Sequence, residues 1–325
     1  MKKLLVCICC LCLVFSATAC GIAARPKDDL KPDMPAEAPA QAPTKSEFNI
    51  GETWSVDGLW TLTILGATET EERNQFSDQN PAAVYIVDYV YTNDGYDDGI
   101  MDGLYMSIDS MIVDSAGKMG YSYPGTVTNY PQETPVGATC YAQACIAVDN
   151  PGTFKLSVSE YDADNEKYSA DFIVDPSLPH VEYTPQAGAA NNAKALKIGE
   201  TWTVDGLWSL TITGVHATDE RNQFSDQNPA AVYVVDYTYT NIGYEDEIMD
   251  GLYMTVDDMI VDASGKMGYS YPGSVTNYPQ ETPVGASCNA QACIGVDTAG
   301  TFTLTVSEYD KEYNKYSQTF MVEVQ

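Results

Sequence analysis

The sequence predicts an all-β protein of two tandem antiparallel β-sandwiches, which follow a signal peptide and a Pro/Ala-rich linker. Three observations support this fold class. From Ile50 onward the chain repeats at a constant offset of 148 residues, without insertion or deletion. Within each copy, apolar and polar residues alternate with the period of a β-strand. No stretch has a helical period, and Gly, Pro, Asn and Asp separate the alternating segments.

The N-terminus has the layout of an export signal. A basic start at Lys2 and Lys3 precedes an apolar run, which ends in small residues before Cys20. The run is shorter than the roughly 20 residues that cross a bilayer. The small residues ending on a cysteine resemble the lipobox of bacterial lipoproteins. That resemblance implies cleavage before Cys20, acylation of Cys20 and anchoring to the outer face of the cell membrane. The alternative is an ordinary signal peptide, cut near Ala19.

Composition and the repeat set the expected domain boundaries. Residues 1–19 are the signal peptide, 20–46 a disordered Pro/Ala-rich spacer, 47–175 the first repeat, 176–196 a linker and 197–325 the second repeat. The spacer lacks an apolar period and cannot bury a core. The linker is rich in Pro and Ala, which is typical of a connection between domains.

The strands of one repeat follow from its alternation. Every second residue from Trp54 to Ile64 is apolar apart from a hairpin turn at Asp57-Gly58. The next strand has a bulky face that we expect in the core, made of Tyr85, Val87, Tyr89 and Tyr91. Later strands are expected at 138–148, 153–161 and 167–174. Seven or eight short strands in one repeat predict a β-sandwich.

Several segments of each repeat form a recognisable series. In the first repeat they are Gly51 to Val56, Leu62 to Ile64, Val87 to Gly95, Pro135 to Gly137 and Gly152 to Phe154. This series resembles the small immunoglobulin-like domains of lipoproteins from Gram-positive bacteria, whose fold is similar to that of a secreted immunoprotective antigen. The resemblance implies two immunoglobulin-like sandwiches with an extracellular binding or interaction role. It implies no particular ligand.

Charge and residue types exclude some functions. The chain has 46 acidic and 16 basic residues and a net charge of −30, so it does not attract nucleic-acid phosphates. Its only histidines, His180 and His216, do not occupy equivalent positions, so no histidine-based catalytic site is present in both repeats. No phosphate-binding glycine loop is present. We expect a protein that is not an enzyme, although paired carboxylates could serve a hydrolase.

Each repeat holds two cysteines five positions apart, and an exported chain permits disulfides. The pairs are Cys140 with Cys145 and Cys288 with Cys293. A local bridge within each repeat is the simplest connectivity. On a single strand, however, five residues span about 16 Å, which is too far for a disulfide. Bridged and unbridged pairs therefore both remain open.

The stretch from Glu72 to Tyr85 recurs letter for letter from Glu220 to Tyr233. Its polar front is the candidate ligand-binding site in each repeat. The candidate residues are Arg73, Asn74, Gln75, Phe76 and Asp78, with Arg221, Asn222, Gln223, Phe224 and Asp226. Recent duplication explains much of the identity, and pairing with a nearby carboxylate is the alternative role of Arg73.

Two other loops could bind a ligand. An acidic loop could hold calcium through Asp98 and Asp102, and its counterpart through Asp246 and Asp250; a solvated turn is the alternative. No other cofactor is indicated. A Tyr/Pro-rich connection from Tyr121 to Glu133 recurs in the second repeat. Its tyrosines could bind sugars or peptides, or seal one end of the sandwich.

These patterns predict a lipid-anchored, extracellular protein that presents two duplicated immunoglobulin-like domains for binding or scaffolding. The expected partners are the membrane, through Cys20, and an unknown extracellular protein or glycan. The alternatives are a carboxylate- or metal-dependent hydrolase of the cell envelope and a purely structural spacer.

Overall fold

A computed structural model describes residues 45–99, 101–183, 195–245 and 250–324 of the chain. Every regular element in these ranges is a β-strand, as predicted. In the described part, no helix is long and apolar enough to cross a membrane. Both repeats belong to one compact unit, Lys45–Gln325. The predicted signal peptide, Cys20 and almost all of the predicted spacer lie outside the described residues.

The described residues of each repeat form nine strands. The strands of repeat 1 are β1 (Glu47–Asn49), β2 (Thr53–Val56), β3 (Trp60–Thr70), β4 (Ala83–Asn93), β5 (Ile112–Val113), β6 (Tyr121–Ser122), β7 (Thr139–Val148), β8 (Phe154–Tyr161) and β9 (Lys167–Val174). Those of repeat 2 are β10 (Leu196–Lys197), β11 (Thr201–Val204), β12 (Trp208–Thr218), β13 (Ala231–Asn241), β14 (Met259–Val261), β15 (Tyr269–Ser270), β16 (Ser287–Val296), β17 (Phe302–Tyr309) and β18 (Lys315–Val322).

The strands of each repeat form two sheets that enclose one core. In repeat 1 a five-stranded sheet has the order β2-β3-β4-β7-β6 and a four-stranded sheet the order β1-β9-β8-β5. Repeat 2 has the same two orders. This is the predicted pair of tandem β-sandwiches, of the immunoglobulin-like type. The predicted core face of β4 is confirmed, because Tyr85, Val87, Tyr89 and Tyr91 are all buried.

One pairing differs from the expected antiparallel arrangement. β1 pairs in parallel with β9, and β10 pairs in parallel with β18. The chain passes from β1 to β2 in the other sheet instead of folding back through a hairpin. Its direction beside β9 is therefore not constrained to be antiparallel.

The two repeats pack against each other through the edge of β7. The amide of Thr139 donates to the carbonyl of Gly265, and the amide of Met267 donates to the carbonyl of Thr139, both at 2.9 Å. Met267 is 6% exposed and joins the core of repeat 1, whereas its counterpart Met119 is 60% exposed. The same turn is therefore solvent-exposed in repeat 1 and partly covered in repeat 2.

The first part of the predicted linker lies along repeat 1. A register shift beside Gly66 interrupts the pairing of β3 with β4. The amide of Val181 donates to the carbonyl of Leu65 at 2.9 Å, and His180 Nδ1 lies 3.3 Å from Asp88 Oδ2. Residues 176–183 thus add a segment to the first sandwich. Residues 184–194 are not described.

Candidate functional site

The repeated polar stretch forms the loop between the third and fourth strands of each repeat. We call residues 71–82 and 219–230 the Phe loops. Asn74 organises the first loop, because its Oδ1 accepts the amide of Phe76 at 2.9 Å and its Nδ2 donates to the carbonyl of Pro124 at 2.6 Å. Its own amide donates to the hydroxyl of Tyr123 at 2.9 Å. Asn222 makes the corresponding bonds in repeat 2. These asparagines therefore hold the loops in place, which leaves them little capacity for a ligand.

The arginines of the Phe loops bond to their own backbone. Arg73 Nη1 donates to the carbonyls of Thr70 and Glu72 at 2.7 and 2.9 Å, and Arg221 repeats both bonds. Neither arginine forms an ion pair with a carboxylate among the described residues. The predicted alternative, in which Arg73 pairs with a carboxylate, is therefore not what the structure shows.

The remaining predicted residues of the Phe loops face solvent. Phe76 is 87% exposed and Phe224 is 86% exposed. Gln75 and Asp78, with their counterparts Gln223 and Asp226, are also exposed. A large aromatic side chain held in water by an anchored loop does not contribute to the core, and such residues are enriched at binding hot spots.

A cavity of about 300 Å³ lies beside the first Phe loop, and repeat 2 has a matching cavity of about 310 Å³. We call these cavities the tyrosine pockets. Each is lined by 14 residues, and the two sets correspond one to one at the repeat offset. Thirteen of the pairs are identical, and the exception is Ser107, which is replaced by Thr255. The fold therefore builds the same pocket twice.

Four tyrosines and one aspartate dominate the lining of each pocket. In repeat 1 they are Tyr89, Tyr105, Tyr123, Tyr130 and Asp109, and in repeat 2 they are Tyr237, Tyr253, Tyr271, Tyr278 and Asp257. Tyr130 and Tyr278 are each 64% exposed, whereas Tyr123 and Tyr271 are buried. The burial of Tyr123 and Tyr271 agrees with the sealing role of the Tyr/Pro-rich connection, and the exposure of Tyr130 and Tyr278 leaves these two rings accessible to a ligand. One tyrosine seals the sandwich and supports the Phe loop, and another stands at the pocket surface.

The lining residues come from distant parts of the chain. Tyr89 lies on β4 and is fixed by a hydrogen bond from its hydroxyl to the carbonyl of Met106, at 3.0 Å. Cys145 reaches the pocket from β7. Gly125 is required beside it, because a Cβ at that position would overlap Cys145 Sγ, and Gly273 has the same relation to Cys293. Sequence reasoning identified Tyr130 but missed Tyr105 and Asp109, which no local motif distinguishes.

The pockets are electronegative. The pKa of Tyr105 is raised by burial and, further, by the negative charge of Asp109. Burial also raises the pKa of Asp257, against the opposing effect of a hydrogen bond from Ser270. No lysine or arginine belongs to the described lining of either pocket. Each pocket therefore offers aromatic surface and one carboxylate to a ligand.

The two candidate calcium ligands of repeat 1 both have partners within the protein. Asp98 accepts hydrogen bonds from the hydroxyl of Tyr96 at 3.0 Å and the amide of Met101 at 2.8 Å, and Asp102 pairs with Lys315 at 2.7 Å. Hydrogen-bond donors and a lysine ammonium group thus already contact these carboxylates. The described residues contain no group of three or more metal-ligating side chains. In repeat 2, Asp250 is exposed and Asp246 lies outside the described residues.

The four described cysteines are free thiols, which agrees with the unbridged alternative in each repeat. Cys140 and Cys145 lie on one continuous strand, β7. Cys140 faces the main core, and Cys145 lies on the opposite side, in the cluster with Tyr123. Cys288 and Cys293 likewise share the strand β16. Two residues at this spacing on an extended strand cannot approach to disulfide distance.

Comparison with known proteins finds no protein-family model that matches the chain and no significant match among curated proteins.

Proposed function

We propose that the protein is a lipid-anchored cell-surface protein whose two immunoglobulin-like domains bind an extracellular ligand. The observation that carries this proposal is the duplicated surface, in which each tyrosine pocket adjoins a Phe loop. The exposed rings of Phe76 and Tyr130 provide the contact area, and the bonds of Asn74 fix the loop beside the pocket. Two such surfaces on one chain suit bivalent binding to a repeating ligand.

Binding accounts for the pocket better than hydrolysis does. A glycosidase places two carboxyl groups about 5–10 Å apart across the scissile bond. Among the described residues, a single carboxylate, Asp109 or Asp257, lines each tyrosine pocket, and no histidine does. His180 and His216 instead lie beside Asp88 and Asp236 on the outer face of the five-stranded sheets. The purely structural alternative leaves the exposed phenylalanines without a role.

The anchor and the export signal belong to the same proposal. Both are supported by the short apolar run of the N-terminus and by the cysteine, Cys20, that follows it. Labelled palmitate fed to cells expressing the full chain should be incorporated into the protein, and Cys20→Ala should abolish incorporation. Incorporation that survives Cys20→Ala would overturn the anchor without affecting the binding proposal.

Binding can be tested with the mature chain carrying Cys20→Ser, so that it remains soluble. The protein is applied to arrays of glycans, peptides and small organic molecules. We expect a saturable signal that is lost with the double substitution Tyr130→Ala and Tyr278→Ala. The matched control is Tyr161→Ala with Tyr309→Ala, which removes two exposed tyrosines outside the pockets. Binding that survives loss of both pocket tyrosines, or no saturable binding in any class, contradicts the proposal.

A further inference from the structure

The tyrosine pockets combine aromatic walls with a single negative charge. Asp109 lies close enough to Tyr89 and Tyr105 to raise the pKa of both tyrosines, with burial as the larger cause. Asp257 acts in the same way on Tyr237. The carboxylate therefore lies among the rings instead of apart from them. This arrangement is repeated in both domains.

Such an environment is selective for charge. Aromatic rings carry negative potential on their faces and attract cations, most effectively when the site excludes water. An adjacent carboxylate adds a direct charge partner. A carboxylate, sulfate or phosphate would be repelled by Asp109 and by the net charge of −30. A neutral ligand would leave the half-buried carboxylate without a counter-charge.

The described residues already contain contacts of this kind. Lys266 Nζ lies 4.6 Å from the centroid of the Tyr141 ring at the junction of the repeats. The tyrosine pockets have the rings but no cation of their own among the described lining residues. Their volumes, about 300 and 310 Å³, lie at the lower end of the range for small-molecule sites. They suit a compact head group.

We propose that each tyrosine pocket binds an organic cation, specifically an alkylated ammonium group, between its tyrosine rings and Asp109 or Asp257. This inference rests on the proposed function, because it assigns a ligand class to the same pockets. An alkylated ammonium is favoured over a bare one because its methyl groups pack on aromatic carbon and it does not require several hydrogen-bond acceptors. Tyr105 and Tyr130 provide the accessible walls of the first pocket, and Asp109 is the charge partner.

The test compares two probes of the same shape. Choline carries a trimethylammonium group, and in its neutral carbon isostere a tert-butyl group replaces that cation. Occupancy is read from the alkylation rates of Cys145 and Cys293 by iodoacetamide, since both thiols line the pockets. Mass spectrometry of the intact mature chain, carrying Cys20→Ser, resolves the sites. We expect choline to slow alkylation of both cysteines, and the isostere to bind at least tenfold more weakly.

Substitution of the carboxylates sharpens the test. Asp109→Asn with Asp257→Asn should reduce choline affinity at least tenfold and leave choline and its isostere indistinguishable. The control is Asp57→Asn with Asp205→Asn, which removes two exposed carboxylates outside the pockets and the Phe loops and should leave affinity unchanged. Thermal unfolding of each variant shows whether the fold is intact. Equal binding of the two probes, or full choline affinity without the carboxylates, overturns the inference.

The outcomes separate this inference from the proposed function. If choline fails to protect either thiol while an array ligand still depends on Tyr130 and Tyr278, the cation assignment is wrong and the binding surface stands. If choline fails and no array ligand depends on these tyrosines, both proposals fail.

Discussion

The ring of Tyr141 lies beneath the ammonium group of Lys266, 4.6 Å from Nζ to the ring centroid, and so joins the first repeat to the second. The hydroxyl of Tyr141 also donates to the carbonyl of Tyr183 at 2.9 Å, which ties the end of the described linker segment to the same point. In repeat 2 the equivalent residue is Asn289. The junction between the repeats is therefore asymmetric at this position.

Tyr141→Asn, which copies the residue of repeat 2, should loosen the junction. The substitution removes a cation–π contact of about 0.5–1 kcal/mol together with the hydrogen bond to Tyr183. We expect the amides of Thr139 and Met267, which bond across the junction, to exchange hydrogen several-fold faster. Asn289→Ala is the control. Unchanged exchange at both amides in Tyr141→Asn would show that the tyrosine does not hold the repeats together.

Met267 and Met119 offer a matched pair for testing the junction. They occupy equivalent positions, yet Met267 is buried against repeat 1 and Met119 faces solvent. Met267→Gln should lower the free energy of unfolding by about 1–3 kcal/mol because a polar group replaces buried apolar surface. Met119→Gln should change it by less than about 0.5 kcal/mol. Denaturant unfolding measures both changes in free energy. Equal effects would contradict the packing of Met267 against repeat 1.

The free thiols predict a simple mass measurement. A chain that begins at residue 20 and carries Cys20→Ser is denatured and alkylated without reduction. We expect an adduct on each of its four cysteines, because Cys140 and Cys145 point to opposite faces of β7, and Cys288 and Cys293 share β16 in the same way. Prior reduction should leave the count unchanged. Adducts that appear only after reduction would show that the cysteines are bridged.

The alternation of apolar and polar residues was sufficient to predict much of the fold. It assigned Tyr85 to Tyr91 to a core strand, and it placed the last strand of repeat 1 at 167–174, as observed. β1 was missed because three residues are too few to show a period. The junction was missed for a different reason. Met119 and Met267 lie in nearly identical local sequences. Only the tertiary structure determines that the side chain of Met119 is exposed and that of Met267 is buried.

The candidate site was predicted in part. The Phe loops were identified because their sequence is repeated without change, and the exposure of Phe76 agrees with a binding role. The role of Asn74 as an anchor depends on Tyr123 and Pro124, about 50 positions away, and could not be read locally. The pocket was missed for the same reason, because Tyr105 and Asp109 meet Tyr130 only in the folded chain.

Stability should depend on pH through two equivalent glutamates. Burial raises the pKa of Glu160 and of Glu308 to about 7. In the unfolded chain a glutamate has its ordinary pKa, about 4.3. Between these values the folded state binds more protons than the unfolded state, so the free energy of unfolding falls as pH rises from about 5 to 7. With allowance for partial exposure, we expect a loss on the order of 1–3 kcal/mol per glutamate.

Other carboxylates determine how the free energy of unfolding falls at low pH. A hydrogen bond from Lys45 lowers the pKa of Glu52 to about 2, and a hydrogen bond from Asn314 lowers that of Asp310. A carboxylate with a lowered pKa stabilises the fold above its unfolded pKa, and this contribution disappears as pH falls through the folded value. Maximum stability should therefore lie near pH 5. Denaturant unfolding between pH 3 and 9 measures the profile.

Glutamine at positions 160 and 308 imitates the protonated glutamates. Glu160→Gln with Glu308→Gln should raise the free energy of unfolding at pH 8, where the parent holds two half-buried charges, and should flatten the profile between pH 5 and 7. Ser159→Ala with Ser307→Ala changes neighbouring residues on the same strands without removing a titrating group, so this control should keep the slope of the parent. A slope that persists in the glutamine variant would mean that other groups carry the pH dependence.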